Sequence, residues 1–181
     1  LNNLLQDSEE FKKVAVFVNT RLTAQKLFQS LVPSLEKEAG VLNPLFFDDA
    51  GFNSIDEFKQ EAGARILLVA TEGLGSIDLK GIQTIIHFDV PEEKEVLISR
   101  IVKTPDINDG EVIAITFSTD IELSTVKKIE QATGQQMVVH RFNDGVVGHH
   151  GAGGPAAERH ADARGGASGN LHLDEVAVLA L

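Results

Sequence analysis

"ARILLVATEGLGSIDLKGIQTIIHFDVP", residues 64–91, decides the fold. After Arg65 its first run, "ILLVA", is unbroken by any polar side chain, the mark of a strand buried on both faces of a sheet. "IQTIIHF" (82–88) is another strand, and Gly73 and Gly75 turn the chain between the two. Upstream, "VAVFV" (14–18) is another buried strand. Ala24, Leu27, Phe28 and Leu31 follow it at the i, i+3, i+4, i+7 spacing of one helix face. "GVLNPLFF" (40–47) is a strand weakened by Pro44, and "SIDE" (54–57) is a capping box that opens a short helix. Downstream, Pro91 with Glu92, Glu93 and Glu95 suits the start of a helix carrying Leu97 and Ile101. "EVIAITF" (111–117) is a further strand, "TDIE" (119–122) a second capping box whose helix Gly134 ends, and "QQMVVHRF" (135–142) a last strand.

Buried strands alternating with helices imply a parallel sheet with right-handed crossovers, a doubly wound α/β domain. Such sheets bind ligands beyond the C-terminal ends of their strands. The loops after Val18, Ala70 and Phe88 are therefore the places to look for chemistry.

Composition narrows the classes. With 181 residues, 43% of them apolar, the chain is long enough for one globular core. It has no apolar run long enough to span a membrane and no basic-then-apolar leader, and Leu1 points to a processed or truncated piece. The absence of cysteine removes disulfides, thiol nucleophiles and thiolate zinc sites, and fits an intracellular, cytoplasmic protein. A net charge of −11 works against nucleic-acid binding, which rests on Lys and Arg neutralising phosphates. That charge sits upstream of the tail: residues 1–144 carry 23 acids against 14 bases, and residues 145–181 carry 4 against 2.

Composition changes near Asn143, giving a folded unit over 1–143, a tail over 144–170 and a short apolar segment over 171–181. The tail holds 8 of the 16 glycines and is expected to be flexible. Its His149, His150 and His160 lack the spacing and supporting ligands of a metal site, and no metal is expected. "LHLDEVAVLAL" (171–181) is apolar enough to pack on its own domain, as a strand or helix, or to dock on a sheet edge or partner.

Three separated segments carry a family resemblance. "VAVFVNTRLTAQKLFQSL" (14–31), "ARILLVATEGLGSIDLKGIQTIIHFDVP" (64–91), and "SRIVK" (99–103) with "GEVIAITF" (110–117) are similar in order and spacing to the second RecA-like domain of DEAD-box RNA helicases. The similarity covers about residues 1–140. It implies a RecA-like parallel sheet flanked by helices, the helicase C-terminal domain.

In that family the loop after the "VAT" strand binds RNA phosphate and nucleotide ribose. It usually reads Ala-Thr-Asp, a few small residues, then Ala-Arg-Gly-x-Asp. Ala70, Thr71 and Asp78 match, Glu72 replaces the first Asp, and "GLGSI" stands where the Arg-Gly pair would be. The resemblance implies RNA contact at Thr71 and cofactor-ribose contact at Asp78; the plain alternative is that Asp78 only turns the chain. Asn19, Thr20 and Arg21 fall where family members contact RNA, and Thr20 equally suits a helix cap.

The next family block usually reads His-Arg-x-Gly-Arg-x-x-Arg, and its later arginines reach the γ-phosphate. "SRIVKTPD" (99–106) keeps Arg100, but Ser99 replaces His, Val102 replaces Gly, Lys103 the middle Arg and Asp106 the last. Arginine fingers are worth ~10³–10⁵ in rate, and a lysine offers a point charge without the planar fork. Arg100 and Lys103 are the catalytic candidates, in a site expected to be broken. "DDAGFNSIDE" (48–57), where the family carries basic RNA contacts, offers four acids and no base, which should repel RNA.

No G-x-x-x-x-G-K-[ST] or Asp-Glu-Ala-Asp run occurs, and Ser76, Ser99 and Ser118 lie in no G-x-S-x-G elbow. In the family the phosphate loop lies in the preceding domain. Alone, the chain is expected to use no cofactor; ATP and Mg²⁺ would enter only with a partner P-loop RecA-like domain. Two functions follow: a degenerate, non-catalytic scaffold binding another protein with weak or no RNA affinity, or one half of an ATP-dependent RNA helicase.

Overall fold

The computed structural model describes residues 1–35, 37–45, 51–102, 112–119, 121–134, 137–140 and 175–180. A short helix, α1 (Asn2–Leu5), precedes the first strand, β1 (Val14–Val18), every residue of which is buried as the unbroken apolar run requires. Helix α2 (Arg21–Leu35) follows, then strand β2 (Ala39–Leu42), the two-residue strand β3 (Gly51–Phe52) and helix α3 (Ile55–Gln60). Strand β4 (Ile66–Ala70) and strand β5 (Thr84–His87) are the two runs of the 64–91 stretch. Helix α4 (Lys94–Val102), strand β6 (Ile113–Ser118), helix α5 (Leu123–Thr133), strand β7 (Val138–His140) and strand β8 (Glu175–Ala180) complete the order.

The sheet runs β3-β2-β4-β1-β5-β6-β8-β7. Its first six strands are parallel, with β1 central between β4 and β5. The two faces alternate residue by residue. Val14, Val16, Val18, Ile66, Leu68 and Ile86 face one cluster, covered by α2 through Ala24, Phe28, Leu31 and Leu35 and by Leu5 of α1. Ala15, Phe17, Leu67, Val69 and Ile85 face the other, covered by Ile55 and Phe58 of α3. Leu97 of α4 and Ile129 of α5 pack on Ala114 on that second face, which completes the doubly wound arrangement.

The capping signals differ in detail from expectation. Ser54 Oγ accepts the Glu57 N–H at 3.2 Å, but Glu57 reaches past Ser54 to the N–H of Asn53 at 2.8 Å. Thr119 and Glu122 form the reciprocal box: Glu122 Oε2 accepts the Thr119 N–H at 2.9 Å, and Thr119 Oγ1 accepts the Glu122 N–H at 3.4 Å. Gly134 ends α5 at φ 71°, a left-handed conformation that glycine adopts without penalty.

Three features depart from the sequence reading. The second strand stops at Leu42 because Asn43 turns to φ 50°, and the chain then pairs again as β3. α1 has no sequence signal of its own. The sheet is all-parallel only over six strands, since β8, from the apolar 171–181 segment, runs antiparallel to both β6 and β7. The span 144–170, with His149, His150 and His160, lies outside the described residues. Among the described residues no helix is long and apolar enough to cross a membrane.

Candidate functional site

The C-terminal ends of β1, β4 and β5 are laced together by main-chain bonds. The Thr71 N–H donates to Val18 O at 2.8 Å, and the Glu72 N–H to Asn19 O at 3.0 Å. Asn19 then ties the β1 loop to the β5 loop. Its N–H donates to Asp89 Oδ2 at 2.8 Å and its side-chain amide to Val90 O at 3.1 Å. Thr20 Oγ1 accepts the Thr23 N–H at 3.1 Å, so Thr20 caps α2. Arg21 sends Nη2 to Asn43 O at 2.8 Å, holding the end of β2, while its N–H donates to Glu72 Oε2 at 3.1 Å.

Arg100, from the last turn of α4, reaches back over the same strand ends. It is 5% exposed, donates Nη2 to Thr71 Oγ1 at 2.9 Å, and lays its guanidinium 3.8 Å from the centroid of the Phe17 ring. Burial lowers its pKa to about 10, so it stays a cation at neutral pH. Phe17 also stacks on His87, with ring centroids 5.6 Å apart and planes 23° from parallel. His87 is fully buried, and burial first, with the Arg100 charge second, lowers its pKa to about 3. The imidazole is neutral; its Nδ1 lies 3.5 Å from Thr116 Oγ1, and its Nε2 has no hydrogen-bond partner among the described residues.

A cleft of about 650 Å³ opens beside this cluster, lined by Thr71, Ser76, Asp78, Val96, Ser99 and Arg100 among others. Three of the sequence candidates, Thr71, Asp78 and Arg100, thus share one cleft. Asp78 is nonetheless an exposed turn residue: Oδ1 accepts the Lys80 N–H at 3.0 Å, and Oδ2 lies 3.9 Å from Lys59 Nζ. Asn19 and Thr20 line an adjoining hollow with Thr71, Glu72, Glu92 and Glu93, and Arg21 lines a third with Asn43 and Glu72. Lys103 and Asp106 lie outside the described residues. Among the described residues no group of three or more His, Asp or Glu is arranged to hold a metal.

Sequence reasoning marked neither Phe17 nor His87 as a site residue. The signal was available in register: Phe17 and His87 are direct partners across β1 and β5, and Thr116 is the next partner across β6.

No family model matches the sequence. Among curated proteins, the chain is similar to ATP-dependent RNA helicase dbp8 of Schizosaccharomyces pombe, 31% identical over 139 residues, which are 76% of this chain and 30% of that protein. ATP-dependent RNA helicase DBP8 of Vanderwaltozyma polyspora is 28% identical over 132 residues, 71% of this chain and 30% of its own length. ATP-dependent rRNA helicase RRP3 of the same yeast is 27% identical over 138 residues, 75% of this chain and 26% of its own length. The chain therefore spans less than a third of the length of these relatives. Their names, with the RecA-like parallel sheet, support a relationship of this chain to the DEAD-box ATP-dependent RNA helicases.

Proposed function

We propose that residues 1–143 are a degenerate counterpart of the second RecA-like domain of such helicases, acting as a scaffold or protein-interaction module without ATPase activity of its own. The single observation carrying this reading is the direction of the charges at the strand ends. Arg100 is turned inward onto Thr71 and Phe17, and Arg21, though exposed, is engaged by main-chain carbonyls, while Glu72, Asp78, Glu92 and Glu93 are exposed, with Lys80 and Lys94 the exposed cations beside them. A surface of that sign opposes phosphate. The cleft's donors do not fit a magnesium-bound triphosphate by themselves. Among the described lining residues Arg100 is the one cation and already serves Thr71, and Asp78 is the one carboxylate. RNA binding is accordingly weak or absent. A fluorescence titration of single-stranded RNA against the chain at rising salt tests this: tight binding with a steep salt dependence would overturn it.

A second reading, one half of an ATP-dependent RNA helicase completed by a P-loop RecA-like domain with ATP and Mg²⁺, draws support from the convergence of Thr71, Asp78 and Arg100 on one cleft. Adding a P-loop domain in trans and measuring RNA-stimulated phosphate release discriminates the two. Release no greater than that of the P-loop domain alone, at saturating RNA, rejects the second reading.

A further inference from the structure

The turn after β4 presents a carboxylate and a leucine side by side. The Leu74 N–H donates to Thr71 O at 3.0 Å, and Gly73 takes φ 69° at the third position, where a left-handed residue is needed. Glu72 is thereby exposed, and Leu74 is half-buried between two hollows. One, of about 360 Å³, lies towards β2 and has Leu42, Ala70 and Leu74 as its apolar lining. The other, of about 420 Å³, lies towards α4 and has Leu74, Pro91 and Val96. Glu72 and Leu74 line both, so the two form one groove across the strand ends. At its β2 end Arg21 donates to Asn43 O and Pro44 O. The residues next in sequence, Leu22 and Leu45, are 57% and 40% exposed, which extends the apolar surface. An apolar groove with a charged rim has the anatomy of a protein-docking site.

Charge decides the occupant. The groove's carboxylates are Glu72, Glu92 and Glu93, all exposed. None of the three forms an ion pair among the described residues. Lys94, beside Glu93, lies 3.8 Å from Glu95 instead. Arg21, the one cation among the described lining residues, is engaged by main-chain carbonyls. Such a rim repels a polyanion or an acidic peptide. A basic side chain can lay its aliphatic stem along Leu74 and Val96 and meet the carboxylates with its head. We propose that this groove docks a partner protein through a segment carrying basic and apolar residues side by side, with Leu74 as the apolar anchor and Glu72, Glu92 and Glu93 as the charge contacts. The inference deepens the scaffold reading above and rests on it.

The probe is the peptide acetyl-Gly-Leu-Arg-Arg-Leu-Gly-amide, titrated into the isotope-labelled full chain while amide shifts are followed by NMR. The same peptide with glutamate in place of arginine is the control. Shifts are expected over residues 72–74 and 92–96 with the arginine peptide and not with the glutamate one. Leu74→Ser is expected to weaken binding ~10-fold, the scale of burying part of one leucine side chain. The double variant Glu92→Gln, Glu93→Gln, at two exposed positions that leave the fold alone, is expected to weaken it about 5-fold. Unchanged affinity in Leu74→Ser would leave only diffuse charge attraction and overturn the proposal. Equal binding of the two peptides, or no binding of the arginine peptide, overturns it as well. The scaffold reading then stands on its own test, because only single-stranded RNA producing the same amide shifts would overturn both.

Discussion

His87 makes acid stability a direct probe of the strand-end cluster. The imidazole is fully buried against Phe17, with the Arg100 guanidinium over the same ring and Thr116 the nearest hydroxyl. Its pKa is lowered to about 3, mainly by burial and secondarily by the Arg100 charge. In the unfolded chain an unperturbed imidazole titrates near ~6.5. Between those values the unfolded state holds a proton that the folded state refuses, so stability falls as pH falls through this window. Above pH ~6.5 the contribution is fully present. The slope approaches ~1.4 kcal/mol per pH unit for one proton. Integrated from pH 7 to 4.5 it removes about 2.5 kcal/mol, a large share of the ~5–15 kcal/mol typical of a domain.

Guanidinium unfolding curves at half-unit pH steps between 7 and 4.5 would measure this slope, in a range where most carboxylates remain ionised. His87→Leu keeps an apolar side chain of similar volume at the position and removes the titration. Wild-type protein should lose stability across the window while the variant stays nearly level. Parallel slopes for the two proteins would refute the assignment of a buried neutral imidazole.

Three further outcomes are expected. Arg100→Ala should cost roughly 2–4 kcal/mol, from the lost hydrogen bond to Thr71, the lost stacking on Phe17 and the volume left behind, with Arg100→Met costing less; thermal unfolding of both variants checks the order. Lys13 Nζ donates to the carbonyls of Phe58, Glu61 and Ala64 at 2.9, 2.8 and 2.6 Å, so Lys13→Met should destabilise by about 1–3 kcal/mol, with faster amide exchange in α3. Ser54→Ala removes the cap on that helix at a cost of about 1 kcal/mol, and Ser54→Asp should recover most of it in chemical denaturation.

The parallel sheet was legible because its strands are buried on both faces. "VAVFV" and "ILLVA" are unbroken apolar runs for that reason, and their register in the sheet is direct, Val14 with Ile66 through Val18 with Ala70. The terminal pair β7 and β8 was less legible. "VVH" is only three residues long, its Val138 is 59% exposed, and its antiparallel partner lies beyond a long connection that no local pattern spans. Thr71 and Arg100 were marked by motif, but their relation was not. A sequence motif shows that an arginine is present; it does not show whether the guanidinium faces a ligand or the protein. That depends on Phe17 lying beneath it and on Thr71 presenting a hydroxyl at hydrogen-bond distance.

The same distinction weighs on the described positions that family resemblance marks for RNA or nucleotide. Thr71 Oγ1 receives Arg100, Thr20 Oγ1 receives a helix N–H, the Asn19 amide holds Val90 O, Arg21 holds Asn43 O, and Asp78 Oδ1 receives the Lys80 N–H. A ligand at any of them must share or replace an internal bond worth about 0.5–1.5 kcal/mol net. Replacing several at once would offset most of what a few phosphate contacts contribute, on a surface whose exposed charges are largely acidic. The internal bonds, by contrast, join the β1, β2, β4 and β5 ends to one another and to α4. On the scaffold reading proposed above, such a surface would hold its shape by itself and meet a partner's side chains more readily than a polyanion.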